Sequence, residues 1–298
     1  QTGGAPGFRG GPELLAEKRR DPRRAALVDA FLEVLTVSHT VVAVPADDAA
    51  REAISAPCTN SPTALRYEAE SPDEAALVEA AAGLGWTFTG RRGGSATVAA
   101  GWPDCPEALE YEVLALNAFN STRKRQSVVV RGRSGEVLLL AKGADNVMLQ
   151  RAETRPADVE EHLTDFAKEG LRTLVLGRRS VSESEFQPWL ARYREAQALL
   201  TGRAEALEAA AEEIEVRMEI LGVTAIEDKL QVGVQETIVS VREAGIKLWV
   251  LTGDKLETAQ NIGFSTRVLS EDMAILTLDA RPGERGGVAP RLQELGRA

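Results

Sequence analysis

With 298 residues, 44% of them hydrophobic and 27% charged, the chain has material for one large domain or two ordinary ones and the profile of a soluble globular protein. A net charge of −10 argues against wholesale nucleic-acid binding, which needs a basic footprint, but a few local Lys and Arg residues suffice for a nucleotide. Two cysteines (Cys58 and Cys105) and two histidines (His39 and His162) lack metal-ligand spacing and make no disulfide framework, so a reducing compartment is expected.

In chain order, the start "QTGGAPGFRGG" has no apolar run of the signal-peptide kind and reads as coil, so residues 1–20 are expected to be a flexible segment. Asp21 and Pro22 then open a helix, Asp as cap and Pro in the first turn. Leu27, Ala30, Phe31, Val34 and Leu35 follow at helical spacing and give it one apolar face. The longest apolar stretch, "VLTVSHTVVAV", is broken by Ser, His and Thr and falls short of the ~18 residues a membrane span needs. A loop over about 44–66 carries three prolines. "SPDEAALVEAAAGLGW" predicts a second helix, with Ser71 as cap, Pro72 behind it and Glu74 in capping-box position.

From Trp86 to Lys142 the texture is that of strands, in "WTFTG", "LEYEVLALNAF", "QSVVVR" and "EVLLLAK", with a turn at "GRSG". A helix in "ADVEEHLTDFAKEG", a strand in "LRTLVLGR" and a long acidic helical stretch over roughly 183–215 come next. Beyond residue 218 the order becomes β-α-β: "MEILGVTAI", "QVGVQETIVSVREAG", "IKLWVLTG", another helix and "AILTL", the pattern of a parallel sheet. The expected organisation is therefore α/β overall. An antiparallel-sheet α+β domain occupies 21–217, part of a doubly wound α/β domain 218–278, and a loose tail 279–298.

Several residues stand where chemistry could be done. Thr252, Gly253 and Asp254 follow an apolar run and precede a helix, where open α/β sheets bind ligands and helix N–H groups meet phosphate; Asp254 would serve equally as a helix cap with Glu257. Asp228 repeats the theme after "TAIE", and the two acidic residues could face one magnesium–phosphate site or simply cap helices. Phe119, at a strand end before a polar turn, could stack on a base or be an ordinary core residue. Arg123, Lys124 and Arg125 behind it read as a solvated turn. Lys142 and Arg172 sit at the ends of apolar strands, where an anionic ligand or a neighbouring carboxylate would partner them. His39 reads as a packed structural histidine and His162 as solvated. Together the strand-end residues point to a nucleotide pocket.

In this order, "SPDEAALVEAA", "FNSTRKRQSVVV", "KGADNVM", "EGLRTLV", "IEDKLQVGVQETI" and "LWVLTGDKLETAQNIG" cover residues 71–263 and resemble the P-type ATPases, specifically their phospholipid-translocating (type IV, flippase) branch. The resemblance implies a cytosolic nucleotide-binding domain inserted into a phosphorylation domain of the haloacid-dehalogenase-like fold. It implies that Glu74, Phe119, Lys142 and Arg172 hold ATP, with Phe119 against the adenine. Thr252, Gly253 and Asp254 would contact the phosphates and the phosphorylation site, which Asp228 would support. Magnesium would find its main ligands outside this chain, since the sequence has no "DKTGT", no "GDGxND" and no "DGET" string. Gln126 and Val232 stand where the family commonly has Met and an acidic residue.

The expected function is thus the ATP-binding cytosolic portion of a lipid flippase, lying at the cytosolic face of a membrane and not turnover-competent by itself. Phospholipid would be met only through the membrane domain, with an accessory subunit as a further partner and no nucleic acid. The alternative is a truncated, non-catalytic module that binds nucleotide or a partner protein.

Overall fold

Unbroken apolar runs such as "SVVV" and "VLLLA" belong to strands covered on both faces, and they form the middle of the sheet that organises this protein. The computed structural model describes residues 11–46, 65–101, 107–132, 134–227, 231–252, 256–270 and 272–278. The chain divides into one unit of residues 1–167 and 171–227 and another of residues 168–170 and 228–298.

The first unit opens with helix α1 (Gly11–Arg20), where coil was expected. Glu13 in its first turn and Lys18, Arg19 and Arg20 in its last complement the helix dipole, and Leu14 and Leu15 pack on the core. Helix α2 (Pro22–Val37) begins at the foreseen cap, with the Asp21 side chain accepting from Arg23 N–H at 2.9 Å. A small antiparallel pair, β1 (Val42–Pro45) and β2 (Leu65–Glu68), leads to helix α3 (Pro72–Gly83).

The large sheet is built from β3 (Trp86–Arg92), β4 (Ser95–Ala100), β5 (Glu107–Asn117), β6 (Arg125–Arg131), β7 (Val137–Gly143), β8 (Ala152–Thr154), β9 (Arg172–Val181) and β10 (Met218–Ile226). Their spatial order is β3-β4-β5-β6-β7-β9-β10-β8, and every pairing is antiparallel except the last. Between these strands run the short helix α4 (Asp145–Met148), α5 (Val159–Lys168), α6 (Glu183–Ala198) and α7 (Arg203–Ile214). The acidic stretch expected as one helical run is thus two helices, parted at Leu199–Gly202, where Gly202 takes a positive φ of 67°.

Alternation along the strands sends successive side chains to two cores. Leu32 and Leu35 of α2 and Leu77 and Val78 of α3 pack with Phe88, Val128, Leu140 and Leu176 on one face. Phe186, Trp189 and Tyr193 of α6 and Ile214 of α7 pack with Val129, Leu139 and Val175 on the other.

Strand β10 corrects the expected start of the parallel domain: residues 218–226 pair antiparallel with β9, from Glu219 opposite Arg178 to Ile226 opposite Arg172. An apolar run carries the same pattern whichever sheet takes it up, so only pairing could decide.

In the second unit, helices α8 (Val234–Glu243) and α9 (Leu256–Ser265) are linked by two bonds. Gln235 Nε2 donates to Ser265 O at 2.6 Å and Arg242 Nη1 to Arg267 O at 2.8 Å. The runs expected as strands do not form them: 246–252 and 274–278 are coil, with Trp249 and Leu251 exposed. A strand exists only by pairing, and among the described residues neither run has a partner strand. Among the described residues no helix is long and apolar enough to cross a membrane.

Candidate functional site

Register brings the expected residues of the first unit to one end of the large sheet. The last residue of β5, Asn117, lies opposite Ser127; Arg125 at the start of β6 lies opposite Gly143 at the end of β7; and Gly143 lies opposite Val175 of β9. Phe119, Lys142 and Arg172 therefore share this end. Lys142 follows Leu138 and Leu140 in alternation, and Arg172 precedes Leu174 and Leu176, so both are on the α2/α3 face.

The first turn of α3 meets them there. Glu74 Oε1 is 2.8 Å from Lys142 Nζ, and Asp73 Oδ1 is 3.4 Å from Arg172 Nη1. The second Glu74 oxygen accepts from Thr40 Oγ1 at 2.7 Å and Thr40 N–H at 3.2 Å. Glu74 is thus no capping box: Ser71 occupies the cap position without a side-chain bond, and the Glu74 carboxylate turns to the lysine instead. A full charge in reach outweighs one amide dipole.

Lys142 is 5% exposed. Its 2.8 Å contact with Glu74 is an ion pair off the line of an ideal hydrogen bond, which leaves the ammonium capacity for further acceptors. Burial lowers the Lys142 pKa, with Glu74 pulling the other way and Arg91 adding repulsion. For Glu74, burial pushes up, but Lys142 and the Thr40 bonds prevail and its pKa is lowered. Gly143 beside it permits close strand packing: a Cβ there would lie 2.5 Å from Arg125 Cβ and 2.8 Å from the Lys124 carbonyl oxygen.

Beneath this pair lies His39, fully buried as expected. Its Nε2–H donates to Thr36 O at 2.8 Å, its Nδ1 accepts from Val41 N–H at 3.1 Å, and its ring meets Phe88 edge-on at 4.5 Å. Burial, then the charges of Lys142 and Arg91, lower its pKa to about 3. His162 is exposed, as expected.

Phe119 is 61% exposed, which removes the core reading of this residue. The basic cluster behind it is the larger surprise, since two of its three members are not solvated. Arg123 and Arg125 are buried against Glu215, itself fully buried at the end of α7. Glu215 accepts from Arg123 Nη2, from Arg125 Nε at 2.5 Å and from Ser127 Oγ at 2.6 Å, while Arg125 also reaches Glu212. Nothing in the local sequence signals this, because the partner lies about 90 residues away.

In the second unit Thr252 is exposed. Gly253, Asp254 and Asp228 lie outside the described residues, as do Cys58 and Cys105. Among the described residues no three His, Cys, Asp or Glu side chains gather as a metal site. Two clefts elsewhere on the first unit, of about 330 and 390 Å³, contain none of Glu74, Phe119, Lys142 and Arg172. One is lined by Asp29, Glu33, Glu136 and Glu219 with Arg178 alone opposing them, and the arginines of the other, Arg178, Arg179 and Arg217, are paired with Glu219 or Glu185. The strand end, with its under-bonded cation and open ring, has the better chemistry for an anionic, aromatic ligand.

Comparison with known proteins agrees with the residues quoted above. The family described as "P-type ATPase, cytoplasmic domain N" matches residues 56–233. "Phospholipid-transporting ATPase DRS2" of Saccharomyces cerevisiae is 44% identical over 271 residues, covering 89% of this chain and 19% of its own length. "Phospholipid-transporting ATPase C887.12" of Schizosaccharomyces pombe is 42% identical over 91% of this chain and 20% of its own length. "Phospholipid-transporting ATPase IK" of Mus musculus is 42% identical over 89% and 18%. The chain spans about a fifth of the length of these curated relatives.

Proposed function

Because the chain belongs to the P-type ATPase family, matched through cytoplasmic domain N, we propose that it is the ATP-binding cytosolic part of a phospholipid-transporting ATPase. One observation carries the reading: the Lys142 ammonium is buried at a strand end without an aligned acceptor, at the same sheet end as the open ring of Phe119. A buried cation left short of hydrogen bonds is costly unless a ligand completes it. ATP has the parts to do so. Its adenine can stack on Phe119, a contact worth about 1–3 kcal/mol, and its acceptors suit Lys142 and Arg172, with Glu74 holding Lys142 in place.

The second unit is part of a haloacid-dehalogenase-like domain in this reading, and the resemblance gives Thr252, Gly253 and Asp254 the task of contacting phosphate, with Asp228 in support. Magnesium bound with ATP neutralises phosphate charge. In the whole protein, ATP held here phosphorylates an aspartate of a "DKTGT" segment that this sequence does not contain, and the cycle is coupled to lipid movement between leaflets. The isolated chain accordingly binds nucleotide without turning it over.

Titration of the chain with Mg-ATP by NMR or calorimetry tests this. Saturable binding is expected, weakened about tenfold each by Phe119→Ala and Lys142→Ala. A folded chain that binds no nucleotide at millimolar ATP overturns the reading.

A further inference from the structure

We infer that Arg123 and Glu215 are positioning residues for the Phe119 ring, clamping from beneath the turn that carries it; the inference rests on the nucleotide reading above. A ring that is mostly exposed is held little by packing, so what the fold can fix is the backbone from which it leaves. That backbone is tied on both sides. Ahead of Phe119, Arg123 Nη1 donates to the carbonyl of Ala118 at 3.0 Å. This oxygen belongs to the peptide plane that contains Phe119 N, and a planar peptide fixes the direction in which the next residue leaves. Behind Phe119, Asn120 accepts twice, its Oδ1 from Arg123 N–H at 2.6 Å and its carbonyl from Lys124 N–H at 2.8 Å. Lys124 closes the turn at φ 51°, a conformation that a bulky residue keeps only when its surroundings hold it there.

Arg123 can hold Ala118 because it is itself held. Its other terminal nitrogen meets Glu215, which is fully buried and is shared with Arg125 and Ser127. Asn117 at the end of β5 joins by donating to Ser127 Oγ at 2.9 Å. One carboxylate at the end of α7 therefore fixes the entry, the middle and the exit of the segment 117–127. Burying two guanidinium groups is an expensive way to stabilise a turn, and is better explained by a need for one orientation.

A double-mutant cycle in the full chain tests the clamp, read as the Kd for Mg-ATP by NMR titration. Arg123→Met removes the tether to Ala118 and leaves Glu215 with Arg125 and Ser127. It is expected to weaken ATP binding several-fold, up to the roughly tenfold loss of Phe119→Ala itself. Added to Phe119→Ala it should cost nothing further, whereas added to Arg172→Ala it should cost its full factor, since only contacts that share a partner couple. Full additivity with Phe119→Ala, or wild-type affinity in a folded Arg123→Met chain, overturns the inference. Should Arg123→Met not fold, Glu215→Gln, which keeps the side-chain shape, enters the same cycle: coupling to Phe119→Ala supports the clamp and additivity overturns it. If Phe119→Ala alone leaves the affinity unchanged, the nucleotide reading fails first, and this outcome is distinct from failure of the clamp.

Discussion

Two clusters of buried charge lie on opposite faces of one sheet, and they are built on different terms. On the α6/α7 face, Glu215 accepts three aligned bonds from Arg123, Arg125 and Ser127, and Arg125 has a second carboxylate in Glu212. On the α2/α3 face, Lys142 meets a single carboxylate out of line, with Arg91 and neutral His39 close by. In the first cluster each buried charge has at least one aligned bond, although Arg123 Nε has none; in the second the Lys142–Glu74 contact itself is out of line. Burial of a cation is therefore no sign of a binding site in itself; what separates the two faces is whether the charge meets its carboxylate in line.

The largest test cuts the first cluster. Glu215→Ala leaves Arg123 buried without a carboxylate and Arg125 with Glu212 alone, a change expected to cost about 3–5 kcal/mol. For a unit of this size that is a fall in Tm on the order of 10 °C, read by calorimetry. A loss below about 1 kcal/mol would mean that water replaces the carboxylate, and the contrast between the faces would dissolve.

How far these clusters are legible in the sequence differs for a physical reason. Asp21–Pro22 marks a helix start because capping is local, and Ser71–Pro72 marks one through the proline of the first turn, Ser71 making no side-chain bond. The central strands are legible because burial on both faces leaves an unbroken apolar run. Lys142 stands out as a charge at the end of such a run, and the structure adds its under-bonded state. Arg123 and Arg125 read wrongly as solvated because their burial depends on Glu215, and a long-range ion pair leaves no trace in a charged tripeptide. The strand at Met218–Ile226 is visible in the sequence but joins a different sheet from the one expected. The run at 246–252 has a strand's composition although it is coil, since apolarity names a strand's face and not its neighbour.

A smaller effect probes the burial of His39 on the α2/α3 face, beside Lys142 and Arg91. Its pKa falls from the ordinary 6.5 to about 3 in the fold, through burial and then Lys142 and Arg91, with Glu74 and the Thr36 carbonyl opposing. Between those values the unfolded chain binds a proton that the folded chain does not, so stability is full above pH 6.5 and drops as pH falls. From about pH 7.5 to about pH 5 the loss is about 2 kcal/mol at about 1.36 kcal/mol per pKa unit. Urea unfolding at several pH values should show it, and His39→Gln should flatten the slope over that window. An unchanged slope in the variant would assign the loss to other groups.

The smallest expected change in stability is the sharpest test of the contrast. Replacing both partners of a poorly satisfied buried pair is often neutral or better, because the desolvation of both charges disappears with them. In Lys142→Met combined with Glu74→Gln, the amide at position 74 can still accept the two Thr40 bonds, and a thioether suits the apolar surroundings of the β7 end. Stability should therefore stay within about 1 kcal/mol of the parent, while Mg-ATP affinity falls about tenfold or more. An ion pair kept for the fold alone would leave the affinity unchanged in the same variant. Stability retained with binding lost is the signature of a cation kept for a ligand, because only the missing ligand then accounts for the charge having been buried at all.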